Sequence, residues 1–310
     1  MINYYFNESE GKITAIDSFR KGCWIEAVDP DEDEIILIEE KYHVNPDFMS
    51  AALDQQETAH IEQEKEQTMV IIDCCRKADS DHESIPQFET YPLTLLFSDE
   101  WMITFAPSCS QFLDELRKDE DHSLRTDQPV DFLMTLMKNV ALRFQEYLRS
   151  ISSVSDEVEE QLYRNMSNSH LEDLMKLDKS LIFFSSSLQA DQNLLEKIQE
   201  NGMFDLNSAE DKRLEYNIIE YRQASKMCEL YISVNDKISA SCSNILSNNM
   251  NIVVKRLTVI TIVLSIPAMV FGFYGMNIKS LELQHAWIPI LIAIAGSALC
   301  WLYLKKSRKL

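Results

Sequence analysis

Glycine and proline are scarce in this chain, which has six glycines and eight prolines among 310 residues. Neither residue occurs between Pro129 and Gly202, and neither occurs between Gly202 and Pro267. Because glycine and proline are the residues that most often interrupt helices, their absence excludes a turn-rich architecture over these two intervals. Both intervals are therefore predicted to form long helices.

Recognisable catalytic and redox motifs are also missing. The seven cysteines show no CxxC spacing and no density typical of a disulfide framework, which fits a reducing compartment. Adjacent Cys74 and Cys75 are interpreted as strand core rather than as a metal or redox pair. The six histidines form no HExxH spacing, and no GxxxxGK[ST] loop is present. We therefore do not expect an enzyme.

Acidic residues are almost absent from the C-terminal end. Residues 251–310 contain seven of the 29 Lys and Arg but only one of the 50 Asp and Glu. The first 250 residues hold 22 basic and 49 acidic side chains, a net charge of −27. Such a field repels nucleic acid and anionic headgroups and concentrates cations, so no nucleic-acid partner is expected. No cleavable signal pattern is evident at the N-terminus, and residues 1–250 are expected in the cytoplasm.

Two uncharged stretches of 18 residues, 257–274 and 287–304, lie at this C-terminal end. Each is close to the shortest length with which a helix crosses a bilayer. Lys255 and Arg256 precede the first stretch, and four basic residues follow the second. Because basic flanks favour the cytoplasmic side, the sequence predicts a multi-pass protein of the cell (plasma or inner) membrane with both termini cytoplasmic.

Apolar residues in the intervals without breakers recur at spacings of three and four. From 130 to 158 this spacing indicates a coiled-coil seam, and it recurs less strictly from 171 to 198, before Asn201-Gly202 as a helix end. A third helix is expected to begin near Ser208, with the Ser208 hydroxyl as its cap. If it is continuous over 208–274, it is about 100 Å long and transmits movement of the soluble part to the first span.

The first 125 residues combine strand and helix patterns. Strands are predicted at 24–28, 69–75, 93–97 and 101–105, with a hairpin turn at 98–100. Helices are predicted at 31–41, 46–55 and 108–118.

The fold class that follows is an α+β cytosolic domain, then long α-helices, then two C-terminal transmembrane helices. We place the cytosolic domain at 1–125 and the long-helix stalk domain at 126–250. The two-helix transmembrane domain, with its basic tail, is placed at 251–310.

Small and polar residues form one face of the first span. They are spaced by four, three and four residues: Thr261, Ser265, Ala268 and Gly272. Asn251 and Thr258 extend the same helical face toward the cytoplasm. Spacing alone leaves two interpretations open, a close-packed helix interface and a pore lining.

The first span ends in Tyr274-Gly275-Met276-Asn277. This signature is accompanied by Asn251, a Lys-Arg-Leu-Thr start of the span, a second span, a basic tail and a helical cytosolic domain. Over the whole chain these features resemble the CorA family of divalent metal (magnesium) transporters. The resemblance implies a funnel-shaped homopentamer in which the first span of each subunit lines a central pore.

The resemblance also implies roles for individual residues. Gly275, Met276 and Asn277 would form the outer selectivity filter. The pore lining below it would consist of Gly272, Ala268, Ser265, Thr261, Leu257, Val254 and Asn251. The neutral amide of Asn277 suits Mg²⁺, which dehydrates reluctantly and passes most readily with its water shell attached. Leu257 and Val254 would make an apolar constriction that gates by dewetting.

The family resemblance further implies passive passage of Mg²⁺, with Co²⁺, Ni²⁺ and Mn²⁺ as additional ions, and closure of the pore by cytosolic divalent cations. Mg²⁺ is then both the transported and the regulatory ion. A divalent cation that moves inward gains about 4.6 kcal/mol per 100 mV of inside-negative potential, so no nucleotide is needed. Asp211, Glu215 and Glu220 are candidates for the regulatory site, although a solvated helix face is the simpler interpretation.

Three alternatives remain open from the sequence. A related transporter could be tuned for another metal, such as zinc, or for efflux, because the sequence does not determine direction. A membrane-anchored coiled-coil scaffold would use the two spans only as an anchor, and an anchored enzyme would need a catalytic motif that we do not find.

Overall fold

The structure, a computed structural model, describes residues 1–7, 13–78, 85–106, 111–118, 124–164, 168–276 and 287–306. These residues divide into two compact units, Met1–Lys237 and Ile238–Leu310.

The first unit begins with a seven-stranded mixed sheet. Its strands are β1 (Ile2–Asn7), β2 (Ile13–Ile16), β3 (Trp24–Val28), β4 (His60–Glu64), β5 (Gln67–Lys77), β6 (Phe88–Phe97) and β7 (Met102–Ala106). Their spatial order is β2-β1-β3-β7-β6-β5-β4. Strands β3 and β7 pair in parallel, with Trp24 opposite Met102, and the other neighbouring pairs are antiparallel.

The predicted hairpin lies between β6 and β7, where the Ser98 N–H donates to the Trp101 carbonyl at 2.9 Å. All four predicted strands are present, with shifts at their ends. Strands β1, β2 and β4 were not predicted. Strands β1 and β2 are only partly buried, and four of the five residues of β4 are polar, so none of the three has the alternating apolar pattern on which the prediction relied.

Three shorter helices belong to this unit: α1 (Glu32–Tyr42), α2 (Pro46–Leu53) and α3 (Gln111–Lys118). Helix α1 begins with a capping box, in which Asp31 Oδ1 accepts from the Glu34 N–H at 2.9 Å and Glu34 Oε2 accepts from the Asp31 N–H at 3.1 Å. Asn45 caps α2, whose first residue is Pro46. The predicted positions of α1 and α2 are confirmed.

The sheet lies between two helical layers because successive side chains of a strand point to opposite faces. On one face, Met69 and Ile71 of β5 pack with Ile38 of α1 and Phe48 of α2. On the other face, Val70, Ile72 and Cys74 join the apolar core formed with the long helices.

The long helices follow as α4 (Pro129–Arg164), α5 (Asn168–Asn201), α6 (Ser208–Tyr274) and α7 (Trp287–Lys306). The predicted seam of α4 is buried at Leu133, Phe144 and Ile151. Helix α5 ends where predicted, and Gly202 has a φ of +55°, the left-handed conformation that glycine adopts without a steric penalty. The predicted order of an α+β part, long helices and two apolar helices is confirmed.

The predicted cap of α6 is wrong. Asn207, not Ser208, caps this helix: its Oδ1 accepts from the N–H groups of Ala209 at 2.9 Å and Glu210 at 3.1 Å. Glu210 Oε2 accepts in return from the Asn207 N–H at 2.9 Å. Ser208 is already the first helical residue, so Asn207 occupies the position from which a side chain reaches the free N–H groups.

Candidate ion pathway

Helix α7 contacts one face of the last part of α6 inside the second unit. The Ser297 hydroxyl donates to the Val263 carbonyl at 3.3 Å. A Cβ added to Gly296 would lie 3.0 Å from Ile266 Cγ2, so glycine permits the close approach of the two helices there. Ala293 of α7, only 3% exposed, and Val259 of α6, 9% exposed, are the buried apolar residues nearby in sequence.

The predicted pore lining lies on the other side of α6. All seven of its residues are exposed in the single chain, Leu257 to 63% and Val254 to 52%. At ~100° per residue, the centre of this face is about 150° away from the face with Val259, Val263 and Ile266. Within the described residues of one chain, the small and polar face therefore remains without a packing partner.

Large apolar side chains border this face on both sides. Ile260 and Phe271 lie about 100° to one side of its centre, and Ile262 and Phe273 lie about 100° to the other. All four are exposed in the single chain. The first span therefore has three kinds of surface: a small and polar face, two large apolar flanks, and a face that contacts α7.

The hydroxyl groups on the small and polar face donate to carbonyls of their own helix. Thr258 Oγ1 donates to the Val254 carbonyl at 2.8 Å, and Thr261 Oγ1 donates to the Leu257 carbonyl at 2.9 Å. Ser265 Oγ likewise donates to a carbonyl of the preceding turn, at 2.8 Å. Since each hydroxyl hydrogen is used within α6, the oxygen lone pairs remain available as acceptors. Such acceptors can bind the hydrogens of water around a cation.

Pro267 lies inside α6 and has no N–H. The carbonyl four residues earlier, that of Val263, therefore lacks its usual partner within the helix. This carbonyl is the one that accepts from Ser297. A role for Ser297 was not predicted from the sequence. The signal for it was a serine in the second apolar stretch combined with a proline in the first.

The end of α6 leads into the predicted filter. The Gly275 N–H donates to the Phe271 carbonyl at 2.9 Å, and the Met276 N–H donates to the Phe273 carbonyl at 3.3 Å. A Cβ added to Gly275 would lie 3.2 Å from the Phe271 carbonyl oxygen, which explains why glycine suits this position. Asn277 lies outside the described residues, so the filter assignment of Gly275, Met276 and Asn277 stays a prediction.

The candidate regulatory acids lie on the first turns of α6. Asp211 and Glu215 are exposed, whereas Glu220 is half-buried and accepts from Gln145 Nε2 at 2.7 Å. Over the described ranges, no group of three or more His, Cys, Asp or Glu residues is arranged to hold a metal ion. The assignment of Asp211, Glu215 and Glu220 stays a prediction.

A buried acid, Asp191 of α5, lies in the first unit beside the sheet. Strand β5 extends past the end of β4, and there the Asp73 N–H donates to Asp191 Oδ1 at 2.9 Å. Burial, and then the neighbouring Asp73 carboxylate, raise the pKa of Asp191 well above its usual value. Burial also raises the pKa of the Cys74 and Cys75 thiols well above their usual values. The interpretation of these cysteines as strand core is confirmed by their 1% exposure.

Residues 20–306 match the protein family described as "CorA-like Mg2+ transporter protein". This chain belongs to the CorA-like family. A curated relative, the cobalt/magnesium transport protein CorA of Methanocaldococcus jannaschii, is 22% identical over 283 residues, which are 87% of this chain and 86% of the relative. The predicted family resemblance is thereby confirmed.

Solved structures of other proteins show the same fold. The complete structure of the CorA magnesium transporter from Methanocaldococcus jannaschii matches 99% of this chain and 96% of its own, with a TM-score of 0.80 and 18% identity. The full-length CmaX protein matches 99% of this chain and 97% of its own, with a TM-score of 0.71 and 13% identity.

Membership in the CorA-like family makes the chain a membrane transport protein homologue rather than a member of an enzyme family. Helices α6 and α7 are each long and apolar enough to cross a membrane. Only 6% of the most apolar 18-residue window of each helix is buried, which sets these segments apart from the core helices of a soluble domain.

Proposed function

We propose that this chain is the subunit of a homopentameric channel through which hydrated Mg²⁺ enters the cell passively, driven by the membrane potential. Co²⁺, Ni²⁺ and Mn²⁺ are the further ions that we expect to pass. The observation that carries the proposal is the small and polar face of α6, which belongs to a CorA-like chain and lies away from α7. Several copies of this face around one axis would enclose a water-filled path.

The chemistry of the face supports passage of an ion with its water shell. Residues 257–274 carry no charged side chain that would hold a divalent cation tightly. The hydroxyl oxygens of Thr258, Thr261 and Ser265 can accept hydrogen bonds from hydration water, because their own hydrogens are donated to the helix. Mg²⁺ releases water reluctantly, so weak contacts with its shell permit faster passage than direct coordination would.

The filter is proposed at Gly275, Met276 and Asn277, at the outer end of the pore, with Leu257 and Val254 as the apolar constriction near its inner end. Amide oxygens of Asn277 from the subunits would bind the water shell at the mouth. The Leu257 and Val254 side chains, more than half exposed in the single chain, would close the path by dewetting when the subunits approach each other.

Orientation follows from the distribution of basic residues. Lys255 and Arg256 precede the first span, and Lys305 and Lys306 follow the second. These basic flanks favour a cytoplasmic position for the start of the first span, the end of the second span and both termini. We place the protein in the plasma or inner membrane with the acidic first 250 residues in the cytoplasm. Their net charge of −27 would attract Mg²⁺ toward the cytoplasmic domain.

Regulation is proposed to use divalent cations held between subunits. Asp211 and Glu215 are exposed on α6, so they can contribute to a site shared with a neighbouring copy. Glu220 is the weaker candidate, because its carboxylate already accepts from Gln145. Bound Mg²⁺ at such sites would stabilise the closed pentamer when cytosolic Mg²⁺ is high.

The test is Mg²⁺ flux into liposomes that contain the purified full-length protein under an inside-negative potential. Asn277→Ala is expected to abolish flux while the protein still assembles, because the amide ring at the mouth is lost. Leu299→Ala, on an exposed part of α7, serves as the matched control and should leave flux unchanged. Equal flux in wild-type and Asn277→Ala protein would contradict the filter assignment.

The same liposomes separate the alternatives. Mg²⁺, Co²⁺, Ni²⁺, Mn²⁺ and Zn²⁺ should be compared one at a time. Passage of Zn²⁺ without Mg²⁺ would contradict the magnesium proposal and favour a zinc transporter. Absence of any flux would favour a membrane-anchored coiled-coil scaffold.

A further inference from the structure

We propose that Ser297 of α7 is a positioning residue for the pore helix: its hydroxyl replaces the main-chain hydrogen bond that Pro267 removes, and so sets the rotation of α6 relative to α7. The inference rests on the proposed pore function, since it explains how the small and polar face is kept turned away from α7.

Pro267 removes one main-chain hydrogen bond from α6. Helix α6 continues through Pro267, so the Val263 carbonyl would be left without a hydrogen bond inside an apolar stretch. In the hydrocarbon part of a bilayer no water is available to compensate, and an unpaired carbonyl is costly. A donor from a neighbouring element is the usual solution in membrane helices that contain proline.

The Ser297 hydroxyl donates to the facing helix and not to its own. A serine or threonine inside a helix usually donates to a carbonyl of the preceding turn of its own helix, as Thr258, Thr261 and Ser265 do here. Ser297 instead donates across to Val263, at 3.3 Å. The acceptor is the carbonyl whose own partner is missing because of Pro267.

Helices α6 and α7 approach each other closely beside Ser297. Gly296 lies next to Ser297, and a Cβ there would lie 3.0 Å from Cγ2 of Ile266, one residue before Pro267, so the Ile266 side chain would have to shift. A short serine side chain can therefore reach a main-chain oxygen of the facing helix only because the backbones are close at this level. The proline, the glycine and the serine meet at one place along the two helices.

The consequence is a defined rotation of α6. A turn of one residue, about 100°, would carry the Val263 carbonyl away from Ser297. Since Val263 lies about 170° from the centre of the small and polar face, the bond holds that face pointing away from α7. Burial of apolar residues such as Ala293 and Val259 would allow several rotations, whereas a hydrogen bond selects one.

A matched pair of substitutions tests the hydroxyl itself. Ser297→Thr and Ser297→Val add a similar group at the same crowded contact and differ in the hydroxyl. In liposomes, we expect Ser297→Thr to conduct Mg²⁺ about fivefold faster than Ser297→Val, because one hydrogen bond shifts the equilibrium between the correct and an altered rotation of α6 by about that factor. Equal flux through the two variants would reduce Ser297 to a packing residue and overturn the inference.

A double-mutant cycle tests the link with Pro267. The alanine introduced by Pro267→Ala would bring its own N–H to the Val263 carbonyl and make the Ser297 hydroxyl dispensable. Ser297→Ala should therefore lower flux and oligomer melting temperature in the wild-type background but change neither in the Pro267→Ala background. The melting temperature of the full-length oligomer in detergent gives the answer even if Pro267→Ala stops conduction. The same loss in both backgrounds, or in neither, contradicts the pairing.

These experiments separate the two proposals. If the wild-type protein passes no Mg²⁺, the pore function fails, and the cycle in melting temperature still reports on the hydrogen bond. If the wild type conducts and the cycle shows no coupling, the pore function stands and the role of Ser297 falls.

Discussion

Helix α4 and the membrane part of α6 both carry one special stripe, but the stripes have opposite chemistry. In α4 the stripe is apolar and buried, with Phe144 against Phe184 of α5 at 5.0 Å between ring centroids. In α6 the stripe is small and polar, and it is exposed while apolar side chains cover the flanks. The difference reflects the surroundings, because water drives apolar residues together whereas lipid does not.

The two regions also differ in where their polar side chains find hydrogen-bond partners. In the first unit, the buried Asp191 Oδ1 of α5 accepts from the Asp73 N–H of β5, and the buried Ser155 hydroxyl of α4 donates to Asn235 Oδ1 of α6 at 2.5 Å. In the second unit, Thr258, Thr261 and Ser265 donate to carbonyls of their own helix, which leaves their oxygen lone pairs available as acceptors on the face proposed to line the pore. Ser297 is the exception: it donates to the Val263 carbonyl of the facing helix, which is available because Pro267 has no N–H.

The largest expected effect is a loss of stability when the buried apolar stripe of α4 is disrupted. Phe144→Ala removes a fully buried ring and should lower the free energy of unfolding by about 3–5 kcal/mol. Denaturant unfolding of the full-length protein in detergent, followed by near-UV circular dichroism, measures this change. Leu142→Ala, at an exposed position of the same helix, is the control and should cost less than about 1 kcal/mol. Similar losses at both positions would show that the α4 seam is not the core of this unit.

The next prediction concerns conduction and rests on the proposed pore. Leu257→Ser should raise Mg²⁺ flux at cytosolic Mg²⁺ concentrations that close the wild-type channel, because a hydroxyl weakens dewetting of the constriction. Ile260→Ser, on the apolar flank, is the matched control and should leave closure intact. Liposome flux at low and high Mg²⁺ on the cytoplasmic side measures both. If Ile260→Ser opens the channel and Leu257→Ser does not, the assignment of the pore face is wrong.

A pH-dependent prediction tests the buried acid. Burial raises the pKa of Asp191 in the folded protein above its unfolded value of about 3.9, so the folded state holds a proton that the unfolded state releases. The stability from this proton is present in full below the unfolded pKa and falls as pH rises toward the folded pKa. Asp191→Asn keeps an acceptor for the Asp73 N–H and should gain melting temperature over wild type as pH increases from 4 to 7.

The control for Asp191→Asn is Asp211→Asn, at an exposed position of α6. In the absence of divalent ions, Asp211→Asn should change the melting temperature less than Asp191→Asn does at pH 7. An advantage of Asp191→Asn that shrinks with rising pH would mean that Asp191 is ionised in the folded protein.

The smallest effect concerns the corrected helix cap. Asn207→Ala should lower the free energy of unfolding by about 1 kcal/mol, because the N–H groups of Ala209 and Glu210 lose their acceptor. Ser208→Ala, one residue later, should change it by less than about 0.5 kcal/mol. The same denaturant experiment measures both, and a larger loss at Ser208 would reinstate the original prediction.

Much of the architecture could be predicted because it depends on local chemistry. The intervals without glycine and proline become α4, α5 and α6, and the uncharged stretches become the exposed last part of α6 and nearly all of α7. The strands at 69–75 and 93–97 were recognised because central strands are rich in apolar residues. Edge strand β4, with His60 and Glu62, carries little apolar pattern, since its pairing with β5 depends on the backbone.

The candidate site shows the same division at the level of single residues. The spacing of Thr261, Ser265, Ala268 and Gly272 was enough to place them on one face, because helical geometry is local. The sequence left open whether this face packs against a helix or lines a pore. In the folded chain α7 occupies the other face, at Val263 and Ile266.

By itself, then, the sequence determined the helices, the two apolar spans and the family. Glycine, proline and charge act over short distances along the chain, and the Tyr-Gly-Met-Asn signature is likewise a local pattern. Only the tertiary structure decided which face of α6 contacts α7 and which residue donates to the Val263 carbonyl, whose usual partner Pro267 removes. It also decided that Asp191 is buried beside β5. Ser297 and Val263 are 34 residues apart, and Asp191 and Asp73 are 118 apart. Contacts over such separations depend on how whole elements pack, which no local pattern records.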